Sequence, residues 1–188
     1  HREILLSAAY RQASKSRPEG EREDQVNTLL WRMNPRRLDI ESYRDSMLRA
    51  AGVLSEELYG FADEVDNPAN LRRTLYGRVS RRRLNPMLKN YDFPDPVQTS
   101  GGRILTTTSL QQLYALNSEF FTSLAGVLAD SVEGRGDNAA RVTALYQKIL
   151  ARDPSAEEIR LALDYLQQGT LKLYAQILLA TNEEIFLQ

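Results

Sequence analysis

Ser155-Ala156-Glu157-Glu158-Ile159-Arg160-Leu161-Ala162-Leu163-Asp164-Tyr165-Leu166-Gln167 is the stretch on which the fold class turns. Serine with glutamate three positions on is a capping-box pattern, each side chain taking the other's free backbone N–H, so it predicts a helix to about Gln167. Working outward, Ala139 to Ala151 carries Val142, Leu145, Tyr146, Ile149 and Leu150 on one helical face. Ser109 to Leu116 predicts a further helix, and Asn117 or Ser118 can cap another from Glu119 to about Ser131. A final helix is expected over Leu171 to Thr181. The links at 133–138 and 167–170 are abrupt.

The first half reads less uniformly. Ile4, Leu5, Ala8 and Ala9 predict a helix from Arg2 to Arg11, and Val26 to Met33 predicts a second, stopped by Asn34-Pro35. Between them, Lys15 to Asp24 holds Pro18 and Gly20 and reads as loop. Asp39 is the expected N-cap of a helix with Ile40, Tyr43, Met47, Leu48 and Ala51 on one face and Gly52 as its stop. Tyr59 to Asn70 reads as loop, and Pro86 to Tyr91 as a short helix followed by irregular chain. Residues 71–83 are read as extended, because Thr74, Tyr76 and Val79 favour strand and Gly77 weakens a helix. The fold class is therefore mainly α, an irregular multi-helix domain with a few short extended segments. Residues 1–188 are read as one domain, the C-terminal part of a larger multidomain protein.

Composition removes several chemistries. The apolar share of 42% and charged share of 26% over 188 residues are those of a globular chain. With no cysteine, disulfides, thiol nucleophiles and iron–sulfur ligation are excluded from this sequence. The one histidine is His1, so a metal would need an all-oxygen site. No run reaches the roughly 20 apolar residues of a membrane span. Net charge is -1; residues 1–105 carry 18 basic and 15 acidic side chains and 106–188 carry 6 and 10, a mild asymmetry of +3 against -4 that favours the halves packing together.

Twenty arginines stand against four lysines, and many lie in two blocks: one from Leu29 to Asp45 with Arg32, Arg36, Arg37 and Arg44, the other from Leu71 to Arg83 with six arginines in thirteen residues. A planar guanidinium fixes carboxylates and carbonyls in defined geometry, so arginines interleaved with Trp31, Tyr76 and aliphatics point to internal fasteners. Around Arg36, Arg37, Glu41, Arg44 and Asp45 a salt-bridge lattice is favoured over an anion site. The second block could stack a base on Tyr76, but the near-neutral charge and scarce lysine disfavour nucleic acid. Asp92 and Asp95, three apart with no third ligand, fit turn chemistry better than calcium. Thr106-Thr107-Thr108-Ser109 fits a helix cap better than a hydroxyl nucleophile. Asp63, Glu64 and Asp66 fit a solvated loop better than a glycosidase acid–base pair.

The order of motifs adds a resemblance. His1-Arg2-Glu3-Ile4 with Ser7-Ala8-Ala9-Tyr10-Arg11-Gln12 resembles the opening of a planctomycete-specific C-terminal domain of unknown function. Leu30-Trp31-Arg32-Met33-Asn34, Arg36-Arg37-Leu38 and Arg44-Asp45-Ser46 are similar to its most recognisable block. Arg72-Arg73-Thr74-Leu75-Tyr76, Tyr91-Asp92-Phe93-Pro94-Asp95, Thr106-Thr107 with Gln111-Gln112-Leu113, and Leu116-Asn117-Ser118 continue it in order. Arg141-Val142, Leu145-Tyr146, Arg152-Asp153-Pro154, Glu157-Glu158 and Asn182-Glu183 carry it to the end. One departure stands out: members of that family usually have a Gly-Gly-Pro-containing stretch after the Arg-Asp helix, and here Leu58-Tyr59-Gly60 passes directly to Phe61.

That resemblance implies a place in large exported proteins that often carry an upstream cytochrome-c-like domain, hence an extracytoplasmic setting. It implies no cofactor in this segment, with haem c in an upstream domain. The expected function is a non-catalytic interaction or scaffolding domain whose partners are upstream domains of the same polypeptide or another protein; polysaccharide is a further partner class. The alternative is one wall of an active site in a polysaccharide-processing or cytochrome-linked redox enzyme. The interaction or structural network is expected to use Arg32, Arg36, Arg37, Arg44, Asp45, Arg72, Arg73, Tyr76, Asp92, Asp95 and Asn117. No catalytic residue or metal ligand is assigned.

Overall fold

A computed structural model describes residues 1–187, and about 47% of the chain is helical. The architecture is mainly α with short extended segments. Its core is built from α3 (Ile40–Ala50), α4 (Pro86–Asn90), α5 (Ser109–Asn117), α6 (Glu119–Asp130), α7 (Asn138–Ile149), α8 (Ala156–Leu166) and α9 (Leu171–Leu179). The closest pairing is α6 with α9, where Phe120, Phe121, Leu124, Ala125 and Leu128 meet Tyr174, Ala175, Leu178 and Leu179. Each large apolar side chain buried there stabilises the fold by roughly 1.5–3 kcal/mol. Buried Gln176 joins this pair to the α5–α6 junction: its amide donates to the free carbonyls of Ala115 and Leu116 at 3.0 Å and to Thr122 Oγ1 at 3.1 Å.

Local signals place most of these elements. Asp39 caps α3 by accepting from the Ser42 N–H, and Gly52 ends the turn beyond it with φ +73°. The capping box of Ser155 and Glu158 opens α8. Residues 71–83 are neither helix nor strand over their length. They pair only through single bridges, Ser55 with Arg72 and Asp63 with Gly77, around one 3-10 turn at Thr74–Tyr76. Gly77 is required by close approach, because a Cβ there would lie 2.3 Å from a Val65 methyl.

The first 35 residues depart from expectation. The first helix, α1 (Arg2–Leu6), stops well short of Arg11, and the expected loop contains α2 (Pro18–Glu23). Pro18 at the first helical position, with Glu19 and Glu21 in the opening turn, explains α2. Gly20 lets the Trp31 ring lie against it. The helix expected over Val26 to Met33 does not form. Asn27 and Leu30 take positive φ (60° and 55°), and polar side chains capture the backbone instead. Asp24 Oδ2 accepts from Leu29 N at 2.6 Å, and Asn27 Nδ2 donates to the Arg32 carbonyl at 2.8 Å. Val26 and Leu29, apolar residues of that expected helix, are 84% and 80% exposed.

The chain closes with α10 (Asn182–Ile185) and an antiparallel pair, β1 (Arg36–Arg37) with β2 (Phe186–Leu187). Arg36 faces Leu187, Arg37 faces Phe186, and Leu38 N extends the ladder to the Ile185 carbonyl at 2.8 Å.

Candidate functional site

Arginine chemistry sets the surface beside α3, and it divides into groups that are locked and groups that are free. Arg44, on the buried side of α3, has no exposed side-chain surface. Its Nε donates to the Val65 carbonyl at 2.7 Å, its Nη1 to the Arg72 carbonyl at 2.9 Å and Thr74 Oγ1 at 3.1 Å, and its Nη2 to the Asn70 carbonyl. The Phe120 ring lies 4.9 Å from its guanidinium carbon. Burial lowers its pKa to about 10, with Asp45, Asp63 and Asp66 opposing the drop, so it stays charged at neutral pH. Asp45 completes the seam: its Oδ1 accepts from the Thr74 N–H at 2.7 Å and hydroxyl at 2.6 Å, while Arg73 Nε stands 3.6 Å from Oδ2.

Arg72 holds the next loop, donating to the Phe61 carbonyl at 2.9 Å and to the Tyr59 carbonyl, and its guanidinium lies over the Tyr76 ring at 4.7 Å. The Tyr59-Gly60 turn, with φ of 66° and 94°, is therefore fastened from the arginine block. Buried Arg37 donates to Gln111 Oε1 at 3.0 Å and stands 3.5 Å from Asp92 Oδ2. Asp92, with φ 62°, also accepts from the Thr106 N–H at 2.8 Å and from Gln111 Nε2 at 3.3 Å.

The remaining expected residues lie apart. Arg32 lies over Trp31 at 5.3 Å, within the first 35 residues. Arg36 is exposed on β1. Asp95 accepts from Val97 N at 3.0 Å in a local turn, and exposed Asn117 donates to Leu113 within its own helix.

Several arginine anchors and a buried acid were missed by sequence reasoning. Arg103 makes a two-pronged bond to Glu41 at 2.5 and 2.6 Å and lies over Phe93. Arg152 clamps both Glu158 and Glu183, which raises its own pKa and lowers that of Glu158 to about 2. Glu184 is buried with Ser46 Oγ donating to it at 3.0 Å, and burial raises its pKa to about 7. The Arg152-Asp153-Pro154 motif and the Glu158 cap were visible signals; for Glu184 there was none.

Between α3 and the arginine block runs a groove of about 380 Å³ lined by Asp39, Glu41, Ser42, Asp45, Arg73, Leu75 and Phe93 among others. Its carboxylates are committed, Glu41 and Asp39 to Arg103 and Asp45 to Thr74 and Arg73. No cluster of three or more metal-ligating side chains occurs among the described residues. No helix among them is long and apolar enough to cross a membrane.

The family profile described as PSD1, protein of unknown function (DUF1553), matches residues 1–166. No curated protein matches the chain, and no solved structure does.

Proposed function

Because the chain belongs to the family of unknown function described as PSD1 (DUF1553), we propose that it is a non-catalytic docking module of a larger extracytoplasmic protein. Its partner is a neighbouring domain of the same polypeptide, including one that carries haem c. The observation that carries this reading is the arm formed by residues 1–35. Hydrogen bonds of the arm close within it, as from Gln12 to the Leu30 carbonyl, Met33 N to the Ala13 carbonyl and Trp31 Nε1 to the Asp24 carbonyl. No arm residue belongs to the hydrophobic core. Ile4, Leu5, Leu6, Tyr10, Val26, Leu29 and Leu30 are each at least half exposed. So many exposed apolar side chains on one short segment suit a protein partner. The inward-facing arginines and committed carboxylates support a scaffold rather than a reacting centre.

The test mixes this chain with the separately produced remainder of its polypeptide and measures association by calorimetry. Binding is expected, weakened about tenfold or more by Leu5→Asp with Leu29→Asp, since charges at the centre of an apolar contact are costly. Absence of binding, or equal binding by the double variant, would overturn the reading.

The groove between α3 and the arginine block supports a second reading, one wall of a site for polysaccharide processing or cytochrome-linked redox chemistry. Arg73, 53% exposed at its rim, is then the residue to change. Arg73→Ala lowering the whole protein's turnover without altering its melting temperature is the expected result; unchanged turnover excludes this role.

A further inference from the structure

Four arginines of the second block do not behave like the rest. Arg78 stands 3.5 Å from Glu64 but is 62% exposed. Arg81, Arg82 and Arg83 are exposed, and their guanidinium groups make no ion pair or hydrogen bond among the described residues. Three adjacent exposed guanidiniums with no partner in the protein leave their donor forks open to an anion.

The bend that carries them is held at both ends. Arg78 N donates to the Asp63 carbonyl at 2.8 Å, and Gly77 is pressed against Val65. Beyond the bend, Asn85 caps α4 by accepting from Met87 N at 2.9 Å and donates to Glu64 at 2.9 Å and Asp66 at 2.7 Å. Within it, Arg83 N donates to Ser80 Oγ at 3.3 Å. The guanidiniums are thus presented on fixed backbone, which lowers the ordering cost of binding.

We propose that this bend binds an acidic polysaccharide carrying carboxylate or sulfate groups. The adjoining groove of about 430 Å³ is lined by Glu64, Asp66, Arg78, Ser80, Arg83 and Asn85, with Leu84 and Pro86. Guanidinium forks match carboxylate and sulfate, while Ser80 and the remaining carboxylate lone pairs of Glu64 and Asp66 can bond sugar hydroxyls. Nucleic acid fits poorly: the groove lining holds no aromatic ring on which a base could stack, and the chain's net charge is -1. An acidic protein surface fits poorly too, since the lining lacks an aromatic anchor. This surface is separate from the apolar arm, so either reading can fail without the other.

The test is affinity electrophoresis of the 188-residue chain in gels containing polygalacturonate, a sulfated glycan, or neutral dextran, with duplex and single-stranded DNA titrated separately. Retardation by at least one of the charged glycans and not by dextran is expected, weakening as salt rises from about 50 to about 500 mM. Arg81→Gln with Arg82→Gln and Arg83→Gln should weaken binding about tenfold or more, and the single variant Arg82→Glu should weaken it in the same direction, both with unchanged melting temperature. The proposal is overturned by no retardation in either charged glycan, by equal retardation of the variants, or by tighter binding to DNA than to the charged glycans.

Discussion

With all three nitrogens of its guanidinium committed to carbonyls of Val65, Arg72 and Asn70, Arg44 fixes a loop that has almost no regular secondary structure of its own. A lysine can satisfy only part of that fan and would bring a compact, strongly hydrated charge into a dry site. Arg44→Lys is therefore expected to cost about 3 kcal/mol in urea denaturation, because buried acceptors lose their donors. A cost below about 0.5 kcal/mol would show that the loop is held by other means. The sequence places Arg44 in an arginine block but not on the buried side of its helix among carbonyls. That geometry comes from residues 21 to 30 positions downstream. Asp39 and Gly52 were readable for the opposite reason: capping is settled within four residues.

At the scale of elements, the final helix α10 carries a pH dependence. Glu184, on α10, faces Ser46 of α3, in a groove also lined by Arg49, Lys148 and Glu183. Burial lifts its folded-state pKa to about 7 against an ordinary value of 4.5, so the folded protein holds this proton more tightly. Its contribution to stability is fully present below pH 4.5 and is lost as pH rises through about 7. Glu184→Gln, which keeps a neutral hydrogen-bonding group, should change stability little at pH 5 and raise it by about 2–3 kcal/mol at pH 8. Denaturation curves at the two pH values that shift equally would refute it.

The elements differ in how far the sequence announces them. Helices α5 to α9 are long enough for capping and periodicity to agree, and their apolar faces find partners. The stripe at Val26 to Met33 has similar spacing but meets no core, and Asp24 and Asn27 turn its backbone away from helix. Strands β1 and β2 are two residues each, too short for any alternation to register.

For the whole molecule, the charge difference between residues 1–105 and 106–188 does not join the halves. Every ion pair among the described residues closes within its own half, and the halves meet through the packing of α3 on α6 and α7 and of α4 on α5, and through the β1–β2 ladder. A single core cluster takes in side chains from Ile40 to Ile185, whereas the arm contributes nothing to it. Hydrogen exchange should therefore resolve two classes. Amides of residues 1–35 are expected to exchange through local opening at low denaturant, and core amides of α3, α6 and α9 only with global unfolding. A single class spanning both would mean that the arm is bound more firmly than its hydrogen bonds indicate. The apolar faces that build the core were legible from periodicity; the arm's separation was not, because exposure of a leucine depends on what fails to pack against it.

The ladder of β1 with β2 has a mechanical consequence. Tension transmitted along the polypeptide enters at Arg36 and leaves at Leu187, which face each other across the same rung. Such a pull peels the clasp one rung at a time instead of shearing it. The clasp would yield first, as a weak fuse, before force reaches the packed helices.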